Sequence, residues 1–214
     1  ESKSTLVDGE IPFPVPGSDF EGRTRINALR FFQEYSNRSE RTVFALRSQF
    51  SVGLDIFDTT VNDAAPDGRF FTWRGQAQYV RLLAPDTLLV ARSDLQFADR
   101  SIAPLEQFGL GGPFSVRGYR QDAILADNGW FGSVELRVPV WRIPSIRGLL
   151  QVVPFFDIGT SWNQGEDTES DGIPSTLAAL GLGLRFQMGD NLSARFDWGQ
   201  RLINFEGSRD TLQE

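Results

Sequence analysis

The chain contains no cysteine and no histidine. These two absences exclude disulfides, thiolate nucleophiles, zinc sites of the usual type and Ser-His-Asp catalysis. Lysine is almost missing too: Lys3 stands alone, and the other twenty basic residues are arginines. No apolar run approaches the ~18–20 residues that a membrane-spanning helix needs. Neither an initiator methionine nor a signal peptide opens the sequence, so any export signal is expected to have been removed or to lie outside it. An excess of positive charge is absent as well. The net charge of −7 argues against nucleic acid as a partner, because that requires a basic surface.

What is present is arginine, acid and aromatic residue. Arginine keeps its charge, pairs bidentately with carboxylates and is less strongly hydrated than lysine. Set beside 28 acidic residues and 12% aromatics, it fits a water-filled interior lined with ion pairs. The order of these residues along the chain is more telling than their number.

Six segments alternate with period 2. In 129–141 Trp130, Gly132, Val134, Leu136, Val138 and Val140 oppose Ser133, Glu135 and Arg137. In 176–188 Ala178, Leu180, Leu182, Leu184, Phe186 and Met188 oppose Gly181, Gly183, Arg185 and Gln187. The segments 42–57, 87–98, 149–163 and 192–202 repeat the pattern, the third placing Asp157 on its polar side. Two further strands, about 26–36 and 70–83, alternate less cleanly. The predicted fold is therefore all-β and antiparallel.

A soluble sandwich also alternates, and three details decide for a transmembrane barrel. The strands run to lengths that cross a bilayer at a tilt, whereas globular strands average about five or six residues. Phe57, Trp73, Trp130, Trp162 and Trp198 recur near strand ends, as an interfacial girdle requires. Connections alternate between short (37–41, 84–86, 142–148, 189–191) and long and polar (58–69, 100–128, 164–175), the pattern of periplasmic turns and extracellular loops. This topology places both ends of the chain outside the cell, which implies a piece of a larger barrel. The loop at 100–128 implies the same, because a lumen of eight strands is already filled by side chains and has no room for a loop of about 30 residues.

That loop carries Gly109, Gly111 and Gly112, and then Gly111-Gly112-Pro113-Phe114-Ser115-Val116-Arg117-Gly118-Tyr119. Further on come Gly129-Trp130…Glu135-Leu136-Arg137-Val138-Pro139, Pro154-Phe155-Phe156-Asp157-Ile158-Gly159 and Asp197-Trp198-Gly199. Four such motifs in order at hairpin spacing resemble the haemolysin secretion/activation (ShlB/FhaC/HecB) family of two-partner-secretion transporters. That family belongs to the BamA-related bacterial surface antigen superfamily. Arg201 departs from it, since a proline is common there.

The resemblance implies an outer-membrane barrel of sixteen strands preceded by two POTRA domains, with this chain supplying strands eight to fifteen. Residues 1–25 would be the remnant of an extracellular loop, 26–204 the eight strands with the inserted loop 100–128, and 205–214 the loop before a missing last strand. It further implies that the loop folds into the pore as a latch. Arg117 would then meet Asp157 on the inner wall, with Tyr119 packed on the wall and Gly118 allowing close backbone approach; Val116 completes the motif. Glu135 and Arg185 are secondary lumen candidates by parity. The implied partners are a secreted exoprotein, outer-membrane lipid, the barrel-assembly machinery for insertion, and the POTRA domains and remaining barrel. No cofactor and no enzymatic activity are expected. Two alternatives stand beside the secretion pore: a barrel-assembly factor of the same superfamily, and a free-standing eight-stranded adhesin or structural barrel.

Other features read more plainly. The acidic run Gly165–Gly172 lacks the D-x-[DN]-x-[DN]-G spacing of a calcium loop and is expected to be a solvated loop. Pro139 and Pro154 each remove a ladder donor and predict a bulge or a strand end. Gly181 and Gly183 give G-x-G without a following helix, so they predict space for the inserted loop rather than a nucleotide site. The stretch Ile11–Gly17 is a proline-rich extended segment.

Overall fold

The computed structural model describes residues 2–3, 23–62, 66–164 and 175–204. The proline-rich stretch, the acidic loop at 165–172 and the segment 205–214 lie outside the described residues, as does most of 1–25. In chain order the strands are β1 (Ser2–Lys3), β2 (Arg23–Thr24), β3 (Ala28–Arg38), β4 (Thr42–Gly53), β5 (Phe71–Ala84), β6 (Thr87–Ala98), β7 (Phe108–Leu110), β8 (Ile124–Ala126), β9 (Asn128–Ile143), β10 (Gly148–Trp162), β11 (Ser175–Met188) and β12 (Leu192–Arg201).

The eight long strands form one sheet in the order β12-β11-β10-β9-β6-β5-β4-β3, antiparallel throughout. The long loop lies between its neighbours β6 and β9, which pair directly, Ala91 opposite Val134. Among the described residues β3 and β12 form no ladder with each other, so the eight strands do not close on themselves. This corrects the alternative of a free-standing eight-stranded barrel, because an open edge leaves backbone donors and acceptors that a bilayer cannot satisfy.

Register sorts the side chains onto two faces. Phe31 lies opposite Phe50, Phe50 opposite Trp73, and Trp73 opposite Phe97. This face carries large exposed apolar groups from edge to edge, among them Leu29, Trp130, Val134, Leu182 and Phe196. Exposed apolar area on that scale marks a surface that meets something other than water. Two of its tryptophans solve a polar problem in the same way. Trp73 Nε1 donates to Ser48 Oγ and Trp130 Nε1 to Ser93 Oγ, each at 2.9 Å, and each ring lies across the glycine two residues on, Gly75 or Gly132. Each indole thus satisfies a serine hydroxyl on the apolar face. Replacing Trp130 by Phe should cost about 1 kcal/mol in unfolding of the full-length barrel in micelles. Ser93→Ala should then add little to that loss; a fully additive cost would show that the bond contributes nothing.

The opposite, inner face holds the loop 99–127, and here the structure adds to the sequence reading. The loop contains its own hairpin, β7 paired with β8. Phe108 and Leu110 of that hairpin, with Val116 and Tyr119, bury themselves against Phe131, Leu177 and Ala179 of the wall. Phe131, Leu177 and Ala179 occupy the odd positions that alternation assigns to a polar face. They break the pattern because the loop, not water, covers them. Burial of each large side chain is worth about 1.5–3 kcal/mol, which is what holds so long a loop down. The loop also reaches both flanks of the sheet: Glu106 pairs with Arg30 of β3, and Gly118 touches Gly199 of β12. A flat sheet would set those strands about 34 Å apart at ~4.8 Å per step, so the sheet curls around the loop.

Two boundaries differ from the periodicity. The strand expected over 42–57 ends at Gly53. Beyond it Leu54 N–H donates to the Asn27 carbonyl at 2.8 Å, and Phe57 and Asp58 turn with positive φ of 49° and 58°. Leu54 and Ile56 keep alternating although the ladder has stopped. At Pro139 the ladder to β10 shifts register, Trp141 facing Leu150 and Pro139 facing Gln151, so Val140 bulges. Pro154 disturbs less: it stays opposite Leu182 of β11, while the ladder to β9 passes from Val152 to Phe155.

Candidate functional site

The root of the loop is clamped before its tip is placed. Asp127, fully buried, accepts from the backbone of Ile102 and Gln164 at 3.0 Å each and from Gln107 Nε2 at 3.2 Å. Asn128 Oδ1 accepts from Ala98 N–H at 2.8 Å, where β6 hands over to the loop. Neither residue stands out in the sequence, and a buried Asp-Asn pair at a strand start is the signal that could have found them.

From this root the chain carries Arg117 onto the inner wall. Its Nε donates to Asp157 Oδ2 at 2.7 Å and its Nη2 to Asp157 Oδ1 at 2.8 Å, a bidentate fork. The Arg117 backbone N–H adds a third bond to Asp157 Oδ2 at 3.2 Å. Nη1 donates to Glu135 Oε1 at 2.9 Å and Nη2 also to Ser133 Oγ at 3.2 Å. The guanidinium carbon lies 3.4 Å from the centre of the Phe155 ring. Arg117 is 3% exposed, Glu135 1% and Asp157 0%. Burial works against the charge on Arg117, but Asp157, Glu135 and Asp197 outweigh it and raise the pKa above the ordinary arginine value. The guanidinium therefore stays charged at every accessible pH.

The neighbouring motif residues set this contact. Gly118 has φ 88°, a conformation that favours glycine, and a Cβ there would sit 2.6 Å from the Gly199 carbonyl oxygen. A Cβ on Gly199 would in turn approach the Arg117 carbonyl carbon and the Gly118 nitrogen to 3.0 Å. The Tyr119 hydroxyl reaches the Ile203 carbonyl at 2.7 Å and the Ala178 carbonyl at 3.0 Å. Val116 is fully buried in the loop's apolar floor. The expectation that Gly181 and Gly183 make room for the loop needs correcting. A Cβ on Gly181 would strike Phe155, and one on Gly183 would strike Asp197, so they give space to wall side chains; it is Gly129, Gly159 and Gly199 that give it to the loop, under Phe108, Leu110 and Gly118.

Glu135 is a hub rather than a secondary partner. Besides Arg117 it takes Arg137 and Arg185 at 3.1 Å each and faces Arg92 at 3.7 Å. Asp197 adds a partner for Arg195 and lies 3.8 Å from Arg117. The structure thus brings Arg117, Asp157, Glu135 and Arg185 into one network spanning β9, β10, β11 and the loop.

An antiparallel sheet with an apolar outer face, wrapped around an arginine-tipped loop, is matched by known proteins. The profile of the haemolysin secretion/activation protein ShlB/FhaC/HecB family matches residues 21–186. The chain belongs to this family. The chain is also similar to the outer membrane transporter CdiB of Dickeya dadantii (strain 3937), 28% identical over 58% of this chain and 21% of its own length. The same transporter of Escherichia coli O6:K15:H31 (strain 536 / UPEC) is 27% identical over 64% of this chain and 23% of its own length. Among solved structures CdiB from Escherichia coli superposes with a TM-score of 0.71 and 23% identity, over 83% of this chain and 33% of the other. The chain thus spans under a quarter of the length of the curated relatives and a third of the solved one. The ShlB/FhaC/HecB assignment also gives the setting: the sheet is a portion of a bacterial outer-membrane β-barrel. What parity missed in this ShlB/FhaC/HecB wall is Phe155 beneath Arg117 and the hub character of Glu135. Phe155 is a break in alternation, and Arg137 two residues beyond Glu135 is the visible hint of an ion pair along one face.

Proposed function

We propose that this chain forms part of the pore wall of an outer-membrane transporter that passes a partner exoprotein, of haemolysin or adhesin type, from periplasm to cell surface. The Val116–Tyr119 segment serves as a latch that holds the loop in the lumen, and the protein works by conformational change without catalysing a reaction. One observation carries this reading. Arg117, at the tip of a loop, is buried against carboxylates that belong to three different parts of the wall. A loop kept only for packing would need no such charge-specific anchor, whereas a movable plug does.

The test uses the full-length transporter with residues 107–123 replaced by a Gly-Ser linker. Cells producing it should retain the exoprotein in the periplasm while the barrel still reaches the outer membrane. Secretion at the normal level would remove the latch. A general loss of other outer-membrane barrels, with the exoprotein unaffected, would favour the barrel-assembly alternative.

A further inference from the structure

The wall around Glu135 is richer in donors than in acceptors. Arg92, Arg117, Arg137 and Arg185 all converge on its two oxygens. A carboxylate offers about four lone-pair sites, while each guanidinium brings five N–H groups. Among the described residues, Arg92 Nη2 and Arg185 Nε accordingly stay buried without a hydrogen-bond acceptor. The charge count points the same way. With Arg195 included, five guanidiniums in the network face three carboxylates, Glu135, Asp157 and Asp197, in a chain whose net charge is −7. The carboxylate oxygen left without a donor, Asp197 Oδ1, is packed against Gly183 and cannot relieve the arginines. Those two nitrogens are enclosed, but the side chains that carry them are not: Arg92, Arg137 and Arg185 each keep between a fifth and a third of their side chains exposed. Arg92 also lines an inner-face cavity of about 470 Å³, next to Gln76, Gln78 and Phe131; Asp94 and Glu34 lie in the same cavity.

We infer that Arg92 and Arg185, supported by Arg137, form an oxyanion-binding station on the pore wall beside the latch. Its ligands are oxyanions presented by the lumen, in the first place the carboxylate side chains of a polypeptide in transit. A partly exposed guanidinium edge offers two N–H groups that one carboxylate accepts together, so a passing carboxylate competes with Glu135 for the same arginines. The station would weaken the grip of the wall on Glu135 and hence on Arg117, so an acidic segment entering the pore would loosen the latch from inside.

The inference rests on the pore reading, and the experiment separates the two. The full-length protein and its Arg117→Ala variant, in which the loop no longer fills the lumen, are inserted in planar bilayers in KCl and titrated with sodium sulfate, oligoglutamate or oligolysine. Sulfate should lower the current of both, and the Arg92→Gln/Arg185→Gln pair should need about tenfold more of it, the worth of one charge-assisted hydrogen bond. Should that pair fail to fold, Arg92→Lys/Arg185→Lys, which keeps the charge but loses the fork, should still need more sulfate than the parent. Oligoglutamate acting at lower concentration than sulfate identifies polypeptide carboxylates as the ligand, and sulfate acting alone identifies an inorganic oxyanion station. Equal sensitivity of parent and variants, or equal block by oligolysine, overturns the station. A protein that conducts no current in either form overturns the pore reading itself.

Discussion

Arg117→Ala in the full-length transporter is expected to free the loop from the wall and to lower its local stability by about 3–5 kcal/mol, because it leaves the buried Asp157 carboxylate without its cation. Asp157 loses its bidentate fork and keeps only neutral donors, Ser133 Oγ at 2.6 Å and, while the loop stays seated, the residue-117 backbone N–H. A fully buried carboxylate cannot turn to water, and this penalty outweighs what the loop gains in conformational freedom. Amide hydrogen exchange over 108–126 reports the change directly: protection there should drop by about two to four orders of magnitude, while β9 and β10 hold theirs. Arg117→Lys should be nearly as damaging. A lysine cannot place three nitrogens on Asp157, Glu135 and Ser133 at once, and it loses the guanidinium contact over the Phe155 ring.

The partner assignment has its own control. Asp157→Asn keeps the shape and removes the charge, and once Arg117 is gone it should cost far less than in the parent. A double-mutant cycle between the two residues should therefore show strong coupling, since groups in direct contact seldom behave additively. Additive losses would mean that the loop is held by its apolar floor alone.

The sequence made the wall legible and hid much of what lies on it. Alternation reports which face a residue takes, so Asp157, Glu135 and Arg185 could be put on one side of the sheet before any coordinates. It also marked Arg117 as an unusual loop residue, through the glycines that frame it. Alternation is blind to what covers a face. Phe131, Phe155 and Leu177 looked like lapses in the pattern, although they are the floor on which the loop lies. The hub at Glu135 was hidden for a different reason. Its arginines come from β6, β9 and β11, and only strand order in the sheet brings them together. The end of β4 at Gly53 escaped because a turn stabilised by Asn27 and Thr59 can follow an apolar repeat without interrupting it.

Glu135→Gln should be more disruptive than Asp157→Asn, although Asp157 is the residue in the fork. Asp157 serves the loop arginine and Ser133, so its loss is confined to the latch. Glu135 balances three wall arginines as well, and neutralising it leaves Arg92, Arg137 and Arg185 facing one another with no carboxylate between them. A glutamine offers one acceptor where two oxygens served four guanidiniums, and turns an NH2 group toward donors. Like charges without a counter-ion in a poorly solvated wall push strands β9 and β11 apart across β10, so the barrel itself should weaken along with the latch. The expected loss is again about 3–5 kcal/mol, but its readout differs: the temperature at which the full-length barrel loses its compact gel mobility should fall for Glu135→Gln and hold for Asp157→Asn. Adding Arg185→Gln should recover part of the loss, since it removes one of the stranded cations. If Glu135→Gln leaves that temperature unchanged, or if Arg185→Gln makes it worse, the four arginines are not balanced through Glu135, and the wall would have to be stabilised by its backbone ladders alone.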